Sequence, residues 1–215
     1  MLNKLRKSKK GIVGIEAAIV LIAFIIIAAA LSYVVINMGF YTTQKTKETM
    51  AAGVEESTSA LLLDGLVTGK TDATNGEIEY LIIPVKLSVG KTPLDLKEDA
   101  VVVSVYLPNA TLLNIYKGYN VTTAADWEEL NTTLGLNADE AKFAIYNDNG
   151  KENSLIESTE KAFLVICLNA TSTPKHTIAN YETLKIEVKT AIGAALTVVR
   201  TAPGGMTANS FVDLG

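Results

Sequence analysis

Three sets of residues in this chain have types and spacings that could support chemistry. The first is the junction Lys10-Gly11-Ile12-Val13-Gly14-Ile15-Glu16, where lysines stand against an oily run and one carboxylate sits just inside it. A peptidase that needs a small residue could cut between Gly11 and Ile12, making Glu16 the fifth residue and placing a new ammonium within one helical turn of it. The second set is four acceptor sequons for N-linked glycans, at Asn109, Asn120, Asn131 and Asn169, each followed two residues later by Thr. The third is a scatter of single groups. His176 is the only histidine, so a His-based zinc site is excluded and a Ser/His/Asp triad would have to use this one residue. It reads as a solvated loop histidine. Asp148-Asn149-Gly150 lacks the other oxygen ligands of a calcium loop and reads as a hairpin turn. Asp139-Glu140 and Glu128-Glu129 are acids without a matching base and read as solvated faces. No catalytic residue, metal ligand or glycine-rich phosphate cradle emerges, so no enzyme is expected.

The element that must position Glu16 is a helix. Ala17 to Ile36 is twenty residues without a charge, ~30 Å at ~1.5 Å per residue, enough to cross a bilayer core. One reading is a membrane anchor with Lys4, Arg6, Lys7, Lys9 and Lys10 held in the cytoplasm. Another is a removable secretory signal cut after Ala30, although the remaining start, LSYVVINMGF, would still be apolar. Neither explains the acid. A charge near the centre of a membrane helix costs ~2.5 to 3.5 kcal/mol, so Glu16 needs compensation. The helix N-terminus and an amine released at Ile12 supply it, from the same chain or from a neighbour. In the second case Glu16 sets the register of assembly. Gly14 and the alanines at 17, 18 and 28 to 30 would let neighbouring backbones approach closely.

These residues carry a resemblance. The basic leader, Gly11, Ile12, Val13, Gly14, Glu16 and the long aliphatic helix resemble the class III signal of type IV pilin-like proteins. The continuation through INMGFYTTQK closely resembles the N-terminal helix of archaeal flagellins, the archaellins, and IEVKTAIGAALTVVRTAPGGM with the closing FVDLG is similar to that family's last strands and tail. The resemblance covers the first sixty or so and the last thirty or so residues, and the middle is unmatched. It implies a leader removed by a prepilin-type signal peptidase and a helical homopolymer forming an extracellular filament. It also implies a membrane-embedded platform and motor with a cytoplasmic ATPase, serving swimming and surface adhesion.

Composition agrees with export. The net charge is −4, and removing the five positive charges of the leader leaves −9 on the mature chain. An acidic mature surface argues against nucleic acid as a partner. Cys167 is the single cysteine, so no intrachain disulfide exists, and in KAFLVICLNA it reads as a buried small hydrophobe.

Beyond residue 36 the helix is expected to continue, now amphipathic, to Leu63, where Asp64-Gly65 stops it. After Gly76 the pattern becomes extended. Expected strands are 77–89, 100–107, 112–117, 142–146, 162–168, 184–189 and 195–200, with Trp127 in one short helix. Seven short strands at this spacing predict a β-sandwich, Ig-like or Greek-key, and the whole chain an α+β protein. The expected division is a leader at 1–11, an assembly helix at 12–64 and an extracellular β-domain at 65–215. No cofactor is expected other than N-linked glycans. The alternatives are an archaeal adhesion pilin, which shares the leader and helix but does not rotate, and a single-pass membrane protein displaying a ligand-binding β-domain.

Overall fold

A computed structural model of the chain describes residues 10–57, 60–89, 93–146, 153–168 and 175–215, with the side chains of 10–13 excepted. The chain separates into two compact units, Met1–Gly53 and Val54–Gly215.

The first unit is built from helix α1, Lys10–Ser57. Its 48 residues span ~72 Å at ~1.5 Å each. No proline interrupts it, and its polar residues do not break it because their hydroxyls turn back onto the backbone. Ser32 donates to the Ala28 carbonyl at 2.8 Å, Thr43 to Gly39 at 2.8 Å, Thr46 to Thr42 at 2.8 Å and Thr49 to Lys45 at 2.9 Å. The helix stops earlier than expected. Leu61–Leu63 is instead strand β1, and Leu61 is buried. A short apolar run such as Leu61-Leu62-Leu63 is compatible with either structure, and pairing with a long neighbouring strand decides it.

The second unit contains thirteen strands among the described residues. After β1 come β2 (Thr68–Thr71), β3 (Ile78–Leu87), β4 (Leu94–Asp95), β5 (Val101–Tyr106), β6 (Thr111–Leu112) and β7 (Tyr116–Val121). Helix α2 (Trp127–Leu134) follows, and then β8 (Glu140–Tyr146), β9 (Leu155–Ile156), β10 (Lys161–Cys167), β11 (Thr183–Thr190), β12 (Leu196–Thr201) and β13 (Phe211–Asp213). A seven-stranded sheet has the order β13-β2-β3-β10-β8-β7, with β1 also on β3, and a four-stranded sheet has the order β12-β11-β5-β6. Strands β4 and β9 make a separate small pair.

Alternation along the strands builds the core. In Lys185-Ile186-Glu187-Val188-Lys189 the apolar residues point inward, where Ile186 and Val188 join Val103 and Val105 of β5 and Ile83 and Leu164 of the larger sheet in one buried cluster. Two sheets sharing one core form the expected sandwich.

Three features depart from expectation. The 112–117 strand is broken into β6 and β7, with Asn114 at φ 51 between them. β2 precedes Gly76 and carries the polar sequence Thr-Gly-Lys-Thr, which gives no apolar signal. β7 and β8 pair in parallel, so the chain must cross between them, and α2 is that crossover. Helix α2 begins at Asp126, whose side chain accepts from the Glu129 N–H at 2.9 Å while the Glu129 carboxylate accepts from Ala125 at 3.1 Å. It ends at Gly135, φ 51, which donates to the Asn131 carbonyl. The helix buries Leu130 and Leu134 against Ala144 and Val165, making a second, smaller core outside the seven-stranded sheet.

Candidate functional site

Helix α1 presents its side chains to the surroundings along nearly its whole length. Every residue from Gly14 to Val54 is exposed, and nineteen of these are large apolar side chains. Leaving one such group in water instead of burying it costs ~1.5–3 kcal/mol, so this surface requires lipid or other helices around it. From Ala17 to Gln44 there is no charged residue, and Lys45 then pairs with Glu48 at 3.1 Å. Glu16 stands alone at the other end, exposed on the helix surface. The hydroxyls of Ser32, Thr43, Thr46 and Thr49 bond carbonyls of their own helix, so a neighbouring helix could cover these four without stranding a donor. A Cβ added at Gly14 would meet nothing within 4 Å. Close approach of another molecule, and no contact within this chain, would therefore give that glycine its use. Gly11 and Ile12 lie in the first turns of α1.

The sequons are placed less uniformly than their sequence suggests. Asn109 is exposed beside Pro108 in the turn joining β5 to β6. Asn120 is half-buried in edge strand β7, and Asn131 is within α2. Those two are therefore in regular structure and not in turns. Asn169 lies outside the described residues, as does Asp148-Asn149-Gly150.

The single groups are structural. Cys167 is buried, and burial pushes its thiol up to about 11 against a weaker opposing hydrogen bond with Tyr80. A neutral, enclosed thiol is a poor nucleophile. His176 is not a solvated loop residue: its Nδ1 lies 2.9 Å from both carboxylate oxygens of Asp139. Three of the four acids read as solvated faces likewise have partners, while Glu128 is exposed as expected. Asp139 holds His176, Glu140 accepts from both nitrogens of Asn137 at 3.0 Å, and Glu129 caps α2. Sequence distance hid the His176–Asp139 pair, which spans 37 positions. Among the described residues no three His, Cys, Asp or Glu side chains are grouped to hold a metal ion.

A model of the archaeal-type flagellin family matches residues 11–200. The chain belongs to the archaeal-type flagellin family. A probable flagellin 1 of Aeropyrum pernix is 41% identical over 212 residues, covering 97% of this chain and 100% of the relative. A probable flagellin 2 of Archaeoglobus fulgidus is 32% identical over 223 residues, covering 98% of both. The archaeal flagellum structure of Methanospirillum hungatei aligns with a TM-score of 0.53 at 26% identity over 89% of this chain and 94% of that one. A flagellin crystal structure from Methanocaldococcus jannaschii shares the fold, with a TM-score of 0.58 at 23% identity over 72% of this chain and 95% of that one. This flagellin is a structural subunit of the archaeal flagellum. Its unpartnered helix and two-sheet domain have that role to serve, and the pilin and anchored-receptor alternatives fall away.

Proposed function

We propose that this flagellin is made as a membrane-anchored precursor, is cut between Gly11 and Ile12 by a prepilin-type signal peptidase, and polymerises through α1 into an extracellular filament turned by a membrane motor. The observation that carries this reading is α1 itself, exposed throughout and without charge from Ala17 to Gln44. In the precursor the bilayer covers that surface. In the polymer other copies of α1 cover it, with small residues such as Gly14 setting close approach and Glu16 meeting an N-terminal amine.

The protein acts as a structural polymer in this account, and the chemistry that drives rotation belongs to other subunits. The β-domain faces the outside and carries N-linked sugars at sequons among Asn109, Asn120, Asn131 and Asn169. No cofactor takes part. Sequencing the N-terminus of protein from shed filaments tests the processing step. Ile12 is expected; Leu31 would show an ordinary secretory cut, and Met1 would show that the leader is retained.

A further inference from the structure

The sequons differ in whether their chemistry can take place on the folded domain. In glycosyl transfer the asparagine Nδ2 bonds to the anomeric carbon of a sugar carried on a lipid phosphate. The carbon–oxygen bond to that phosphate breaks, the phosphate leaves with the bonding pair, and one Nδ2 proton passes to a base. The acceptor therefore needs an unengaged amide, space for a sugar beside it, and a threonine hydroxyl two positions on that the transferring enzyme can reach.

Asn131 is poorly placed for this chemistry in the fold. It lies within α2, where positions i and i+2 do not face one another. Its side chain is half-buried, and the hydroxyl of Thr133, although exposed, donates to the Glu129 carbonyl at 2.8 Å. Asn120 is similarly held: its Nδ2 donates to the Thr133 carbonyl at 3.1 Å. Its partner Thr122 is buried, with the hydroxyl accepting from the Ala124 N–H at 3.0 Å. Helix α2 thus locks both sequons at once. Asn109 is the contrast. It and Thr111 are exposed, the turn is closed by the backbone bond from Leu107 N–H to the Ala110 carbonyl at 2.8 Å, and neither side chain is engaged among the described residues.

We propose that, of the three sequons within the described residues, Asn109 is the glycan acceptor on the folded domain, and that Asn120 and Asn131 accept sugar only before α2 docks on the sheet. The proposal rests on the reading of this flagellin as an N-glycoprotein. Once α2 is docked, the helical backbone around Asn131 and the bond from Asn120 to the Thr133 carbonyl exclude transfer at both positions, so occupancy records the order of folding and modification.

Glycopeptide mass spectrometry on filaments from the native cells tests this. Sugar is expected on Asn109 in most subunits, with Asn120 and Asn131 bare or modified in a minor fraction. Asn109→Gln should remove the sugar from that peptide without moving it to Asn131. Leu134→Asp, which places a charge beneath α2 and lifts it from the sheet, should raise Asn131 occupancy several-fold. Should that variant fail to be exported, the wild-type map decides alone. Asn120 or Asn131 occupied as fully as Asn109 in wild-type filaments would overturn the proposal while leaving the glycoprotein reading intact. Bare peptides at every sequon would overturn both.

Discussion

His176 and Asp139 form a clamp across 37 positions of sequence, with the ring Nδ1 2.9 Å from each carboxylate oxygen. Both side chains are about one-fifth to one-quarter exposed, and Asp139 sits at φ 60, a conformation that Asp tolerates better than most residues. The clamp ties the segment entering β11 to the turn before β8. On its far side Thr177 donates to Glu77 at 2.6 Å.

His176→Ala should lower the stability of the β-domain by about 1 kcal/mol, the usual worth of a partly exposed hydrogen bond to a charged group. Asp139→Asn should cost less, because Asn keeps both the turn and an acceptor. Thermal melts of the purified flagellin check both, and a His176→Ala protein as stable as the wild type would show the clamp to be idle.

Cys167 gives a pH dependence with a definite sign. Burial raises its folded pKa from 9.0 to about 11, so the folded state favours the neutral thiol. The stability this contributes is fully present below pH 9 and is lost as pH rises through about 11. Cys167→Ala should therefore flatten the alkaline side of the stability profile between those values. At pH 8 a thiol reagent should label native filaments slowly and denatured chains quickly, and equal rates would contradict the burial argument.

Glu16→Ala should leave export and cleavage largely intact while impairing filament assembly. Filament yield by electron microscopy, read beside processing on a gel, separates the two steps. Wild-type yield and length in the variant would reassign Glu16 to peptidase recognition or to helix-start electrostatics.

Much of this architecture was legible in the sequence because local signals and packing agree. The alternation in β11 and the apolar runs of β3, β5 and β10 mark buried strands, and the segment around Trp127 reads as the one short helix, α2. The failures occurred where distant pairing overrides local preference. Leu61–Leu63 became a strand because β3 offers a partner, and the polar strand β2 exists because it lies between β3 and β13. The site divides in the same way. Glu16 and the uncharged run that follows it announce themselves by being out of place in water or lipid. The unequal sequons do not, because Asn131 is distinguished from Asn109 only by the helix that holds it.

In the proposed mechanism, cleavage converts one apolar surface from membrane anchor to filament core. While the leader remains, its five positive charges must stay in water, and drawing them into a dry helical bundle costs far more than helix contacts return. Gly11→Val places a bulky residue at the cut, and the decisive measurement is the state of that variant in cells, by fractionation, gel mobility and electron microscopy. Full-length protein should accumulate in the membrane fraction of bald, non-motile cells. Uncut Gly11→Val protein assembled into normal filaments would contradict this mechanism.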